Sequence, residues 1–323
     1  MSGSAAGRSV AALHPGLRRL AYASLVANVV IVLTGGAVRL TASGLGCPTW
    51  PECSAGNDGR SGSFVAHREL GVHGVIEFGN RLLTFVLAAV AIATLVAAWR
   101  MRPARSSVRR TALLLALGIP AQAVLGGITV LTSLNPWLVA GHLIVSMVLI
   151  SLSVLLIRRL SEGDDAPRPS MPVPAVWLVK ATWATVWLVV YLGTVVTGSG
   201  PHAGDAHVPR NGLDPAAMSQ LHADVVFLLV GLTIGCVVAV RALDAPGPAV
   251  RAVQWLLGVE LAQGLIGFVQ YATDLPVALV AAHLLGASVL VAVATAVLLT
   301  TRDRGVCGVP AAAPVTVDAE AVR

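Results

Sequence analysis

Eight long stretches of this chain contain almost nothing that water would solvate. Runs of about 20 apolar residues, the length a helix needs to cross a hydrocarbon core, are predicted near residues 20–40, 73–99, 111–131, 137–157, 175–197, 219–241, 252–271 and 277–299. In lipid a backbone must satisfy its own hydrogen bonds, so such runs fold as helices and not as open strands. Charged residues make up only 12% of the chain and its mean hydropathy is +0.79, whereas soluble domains carry about 25% charge. The expected fold is an all-α integral membrane protein of eight transmembrane helices.

Charge sets the orientation. With the N-terminus in the cytoplasm, seventeen of the 22 Lys and Arg residues fall on the cytoplasmic side. Arg39, Arg60, Arg68 and Arg210 fall outside, and Arg81 lies within a span. This asymmetry follows the positive-inside rule and predicts both termini in the cytoplasm of a cell (plasma) membrane protein. The net charge of +6 is then a topology signal and not a nucleic-acid footprint. The first span is too long for a signal-peptide core and lacks a small-residue cleavage site.

An internal repeat organises the spans. Residues 121–143, AQAVLGGITVLTSLNPWLVAGHL, align without a gap on residues 262–284, AQGLIGFVQYATDLPVALVAAHL. The polar punctuation matches as well: Gln122 with Gln263, Thr132 with Thr273, His142 with His283. Leu40-Thr41-Ala42-Ser43-Gly44 similarly echoes Val196-Thr197-Gly198-Ser199-Gly200. Four spans per copy make both halves enter from one side, a parallel repeat about the membrane normal. The expected division is an N-terminal tail (1–19), a first half (20–160), a cytoplasmic linker (161–174), a second half (175–301) and a disordered cytoplasmic tail (302–323).

Cys47 and Cys53 share the first external loop, within a Pro-rich turn. Two cysteines in an oxidising compartment favour a disulfide, with free thiols or a metal pair as the alternatives. Cys236, inside a span, and Cys307, in the tail, are expected to be inert.

Four of the eight histidines, His73, His142, His222 and His283, lie at or just inside the outer ends of even-numbered spans. One such histidine can be a simple interhelical hydrogen bond. A pair at matched depth in one half, His222 and His283, suggests more, because bundle cofactor sites are built from facing side chains. Zinc wants additional Cys, His or carboxylate ligands. Haem needs only one or two imidazoles with apolar walls and small residues, so bis-histidine haem fits best. The first half differs: Asn80 stands opposite His222. Span 2 also carries His73, Glu77, Asn80 and Arg81 on one helical face. A carboxylate and a guanidinium inside a span are expensive unless they form a structural pair or serve a site. An iron held by His142 alone would keep an open position. For Glu260 and Asp224 structural hydrogen bonding, or tuning of a nearby imidazole, is expected.

At these residues the chain resembles the haem A synthase family. The resemblance rests on the run from Thr34 to Cys53 (TGGAVRLTASGLGCPTWPEC), on Ile76-Glu77-Phe78-Gly79-Asn80-Arg81, and on the two hairpins bearing His142 and His283; it spans residues 20–300. It implies an oxidoreductase of two four-helix bundles that oxidises a methyl group of haem O to the formyl group of haem A, with oxygen from water, for terminal oxidase assembly. His222 and His283 would ligate a haem b cofactor in the second half, and His142 would hold the substrate iron in the first. Glu77 would match the family's essential glutamate, a catalytic group that would stabilise positive charge at the oxidised methyl carbon or move its proton, and Cys47–Cys53 its external disulfide. Arg39 and Arg81 are candidates to neutralise propionates.

The family pattern usually reads Glu-x-x-His-Arg, and here Asn80 replaces the histidine. Either His142 ligates alone, or His73 two turns away substitutes, or the first site is inactive. Implied partners are haem O, the bilayer, a haem O synthase, an electron acceptor and a second copy of the chain. The rival readings are a non-catalytic b-type cytochrome, which would want bis-histidine haem in both halves, and a transporter, which would want a midplane site.

Overall fold

The structure is a computed structural model that describes residues 14–47, 49–53, 71–205 and 207–305. Eight long helices account for nearly all of it: α1 (Pro15–Leu40), α2 (Gly71–Arg100), α3 (Ser106–Leu131), α4 (Pro136–Arg159), α5 (Val173–Ser199), α6 (Pro215–Ala242), α7 (Gly247–Ala272) and α8 (Val277–Leu299). Each is long and apolar enough to cross a membrane, so the protein is multi-pass, as expected from the apolar runs. The helices outreach those runs by a few residues because proline begins them: Pro15, Pro136 and Pro215 open α1, α4 and α6, where a missing N–H costs nothing. Two starts are also capped. Asn135 accepts from the N–H groups of Trp137 and Leu138, and Asp214 from that of Ala217.

Helices α1–α4 pack as a closed ring, each against the next and α4 back against α1; α5–α8 repeat that order. The rings join where α1 and α4 meet α8 and where α4 meets α5. A buried core of Val32, Met147 and Ile150 from the first ring with Val186, Leu229, Leu256 and Leu290 from the second fills that junction. Large apolar side chains such as Phe85, Phe227, Trp255 and Phe268 remain exposed around the outside, which is the surface a bilayer solvates.

The two aligned hairpins share backbone detail beyond their letters. Ser133 and Leu134 both have positive φ, as do Asp274 and Leu275, 141 positions later. Leu134 N–H bonds the Thr129 carbonyl at 2.8 Å, and Leu275 N–H bonds that of Gln270 at 2.7 Å. Two consecutive left-handed residues closed by a reach-back bond terminate a helix in the Schellman manner.

At the end opposite the disulfide, residues read as linker and tail form a small clasp. Arg168 and Pro169 pair antiparallel with Asp303 and Arg302, and Gly163 N–H bonds the Gly305 carbonyl. Arg105 holds Asp164 through Nε and Nη2, each at 3.0 Å, and caps the carbonyls of Arg159 and Glu162. Glu162, only 4% exposed, pairs with Arg158, Arg159 and Arg302. The Arg105 hydrogen bonds hold the Asp164 carboxyl below its ordinary range. These contacts draw residues 161–169 and 301–305 into the folded body; the rest of the expected tail, Cys307 included, lies outside the described residues.

Candidate functional site

Near the disulfide end, three of the four helix pairs present the same contact. An imidazole on the even-numbered helix lies against a glycine on the helix before it. A Cβ added at Gly126 of α3 would stand 3.2 Å from His142 Cε1 on α4. At Gly193 of α5 it would stand 3.3 Å from His222 Cε1 on α6, and at Gly267 of α7 3.3 Å from His283 Cε1 on α8. The fourth such pair is Gly35 of α1 with Asn80 of α2, at 3.9 Å from Nδ2. Asn80 is the residue of α2 that aligns with His222, and its contact with a glycine is looser than the three imidazole contacts.

These three are also the buried imidazoles without hydrogen bonds. His14, His73 and His202 each engage a partner: the Arg102 carbonyl, Ser43 Oγ and the Leu275 carbonyl. In contrast, Nδ1 of His142, His222 and His283 is buried with no partner, as is Asn80 Oδ1. His222 and His283 lie within electrostatic range of each other across the second ring. Buried polar atoms normally find partners, and orphaned imidazoles packed against glycines between apolar helices are suited to ligating a haem iron. The donor set fits the group.

The carboxylate and guanidinium of span 2 are fully engaged. Glu77 is 5% exposed; its Oε1 accepts from Arg81 Nη2 at 2.6 Å and its Oε2 from Cys47 N–H at 2.6 Å. Arg81 in turn donates to the carbonyls of Cys47, Thr49 and Glu52. The pair therefore fastens the loop closed by the Cys47–Cys53 disulfide onto α2. Both cysteines are fully buried. The loop crosses α2 closely enough that a Cβ at Gly46 would overlap the His73 carbonyl, and Trp50 fills the space a Cβ at Gly127 would need. Gly127 follows the glycine that backs His142. Its counterpart in the second half is Phe268, 73% exposed, so the first half alone carries this tryptophan.

His73 is exposed and tied to Ser43 at 2.9 Å. It precedes Asn80 by seven residues, about 10 Å along the helix, so the structure does not bring the two together. Arg39 is not beside Asn80 or His142 either: its Nη2 crosses to the Thr197 carbonyl of α5 at 2.8 Å. Glu260 accepts from Thr233 and Asp224 from Gln220. The sequence aligned Gly126 with Gly267 in the repeat but did not place either against a histidine. It also gave no role to Trp50, or to Gln122, whose Nε2 anchors α3 to the His142 carbonyl at 3.0 Å.

The sequence profile of the cytochrome oxidase assembly proteins, COX15-CtaA, matches residues 18–57 and 64–295. Among curated proteins, the haem A synthase of Lysinibacillus sphaericus is 30% identical over 184 residues, covering 56% of this chain and 57% of that protein. That of Symbiobacterium thermophilum is 27% identical over 192 residues, covering 57% and 60%. That of Listeria monocytogenes is 27% identical over 177 residues, covering 54% and 56%. The chain thus matches little more than half the length of these relatives.

Proposed function

Because the chain belongs to the COX15-CtaA family of cytochrome oxidase assembly proteins, we propose that it is a membrane-bound haem A synthase that oxidises a methyl group of haem O to a formyl group. The observation that carries this reading is the inequality of two otherwise matching sites. The second ring offers the orphaned pair His222 and His283, suited to a permanently held haem b. The first offers His142 alone, with Asn80 in the fourth position, which leaves a substrate iron open on one side. A b-type electron carrier would gain nothing from that asymmetry.

Converting a methyl group and water to a formyl group releases four protons and four electrons, so the reaction needs an electron acceptor. When bound, haem b supplies the redox chemistry. The chain's own residues orient and enclose. His142 positions the substrate iron, with Gly126 giving the ring its room. Glu77 and Arg81 hold the disulfide loop and Trp50 over that half, shielding it from water. We place Glu77 as a positioning residue for the reacting end of the site, one turn from Asn80. The arginine distribution supports a plasma-membrane protein with both termini cytoplasmic, and the matching hairpin backbones support a duplicated origin for the two halves. Haem O synthase is the proposed source of substrate.

Purified protein is expected to show a low-spin bis-imidazole haem spectrum that disappears in His222→Ala and in His283→Ala, whereas His142→Ala retains it. A spectrum indifferent to both second-half substitutions would overturn the cofactor assignment. Accumulation of haem A in cells supplied with haem O, lost in His142→Ala, tests the reaction.

A further inference from the structure

Arg39 leaves the half to which it belongs. It is the penultimate residue of α1, yet its Nη2 donates to the Thr197 carbonyl on α5, 2.8 Å away. Its Nε is buried without a partner. A second guanidinium, that of Arg210 in the α5–α6 loop, lies close enough for the two like charges to repel. Arg210 spends its own donors on the carbonyls of Val208 and Pro201. Among the described residues neither arginine forms an ion pair; the paired cations are Arg81, Arg105, Arg158, Arg159 and Arg302. Asp205, in the same loop as Arg210, is turned to the His207 N–H. A buried guanidinium with an unsatisfied donor, carrying no ion pair and with a second unpaired cation in the neighbouring loop, calls for an anion.

Their depth says which anion. Thr197 lies four residues beyond Gly193, about 6 Å along α5, and its hydroxyl bonds the Gly193 carbonyl at 2.6 Å. Gly193 is the glycine against which the His222 ring packs. The Arg39 guanidinium therefore stands about one helical turn from the His222 contact, toward the disulfide end, within reach of an anionic group on a ligand held at His222 and His283. The counterpart of Arg39 in the second half is Val195, so this cation is supplied once, from the first ring to the second.

We propose that Arg39 and Arg210 form a two-guanidinium clamp for the propionates of the second-half haem, making Arg39 part of the other half's site. The clamp rests on the haem assignment above. Neutralised propionates favour the ferrous state, so loss of a clamp cation lowers the midpoint potential.

The test is a redox titration of the low-spin haem in the full-length protein, unaltered and as Arg39→Gln, Arg39→Lys and Arg210→Gln, loaded with haem b or with its dimethyl ester. With haem b, Arg39→Gln is expected to shift the ferric-to-ferrous equilibrium about tenfold toward ferric, a fall of about 59 mV for one electron. Arg210→Gln should move it in the same direction, and Arg39→Lys should recover most of the loss. With the ester, which has no carboxylates, the Arg39→Gln shift should vanish. If Arg39→Gln does not fold, Arg210→Gln compared on the two porphyrins carries the same logic, since its bonds lie within its own loop. Low-spin haem whose potential ignores these substitutions, or shifts equally with the ester, overturns the clamp and leaves the haem assignment standing. Absence of low-spin haem from the unaltered protein overturns the assignment beneath it.

Discussion

Replacing Glu77 with Gln removes one charge and almost no volume, and the structure says where the effect will appear. The carboxylate makes two charge-assisted bonds, to Arg81 and to the Cys47 N–H, both at 2.6 Å. Hydrogen bonds to charged groups contribute about 1.5–3 kcal/mol each, against roughly 0.5–1.5 kcal/mol between neutral groups. Glutamine keeps one acceptor oxygen and turns the other into a donor facing a donor. The loop should therefore be held less tightly by about 2–3 kcal/mol, a change of about 30- to 150-fold in the population of opened loops at 1.4 kcal/mol per tenfold. Because Cys47 and Cys53 are fully buried when the loop is seated, a water-soluble phosphine should reduce them mainly from the opened state. The rate of reduction, followed by labelling of the released thiols, should rise by that factor in Glu77→Gln while the second-half haem spectrum is unchanged. An unaltered rate would refute the view that Glu77 fastens the loop, and would return it to the role of a reacting group alone.

Two further outcomes are expected. Asn80→His places an imidazole on α2 opposite Gly35, which has no Cβ to obstruct it; the first half should then acquire a second low-spin bis-imidazole haem and lose haem A formation, and a spectrum with a single low-spin species would count against the equivalence of the four positions. At the opposite end, the Asp164 carboxyl is depressed chiefly by its Arg105 hydrogen bonds. Its contribution to stability is complete above the ordinary carboxylate pKa of about 3.9 and lost as pH falls through its lower folded value. Thermal unfolding in detergent should therefore show a gap between the unaltered protein and Asp164→Asn that is constant near neutrality and closes in acid; a gap that widens in acid would contradict the assignment.

Much of this was legible because a bilayer leaves the chain few choices. Helix number and approximate ends followed from apolar runs, since lipid admits no partly solvated alternative. The hairpin repeat announced its geometry through Thr132 and Thr273, which cap matching turns. Asn80 could be recognised as the odd position from alignment alone. What stayed hidden involved groups that carry meaning only through a distant partner. Nothing local marks Arg39 as reaching α5, since its contact spans 158 positions. Arg105 looked like one more charge in a basic loop, yet it binds a carboxylate 59 residues away. Glycines 35 and 193, outside the aligned hairpins, matter for the side chain they lack, and a missing atom leaves no periodic trace.

The junction between the rings has a consequence for how such a protein acquires its asymmetry. The contact of α1 with α8 corresponds to that of α5 with α4, and α4 meets α8, its own counterpart. Those are the contacts an isologous dimer of identical four-helix chains would make. In such a dimer every substitution arrives twice: an arginine reaching across would be answered by another, and a tryptophan over one ring by a tryptophan over both. Covalent fusion lifts that obligation. Arg39, Trp50 and Asn80 each occur on one side only, so in a single chain the two rings can come to differ without undoing the interface that joins them.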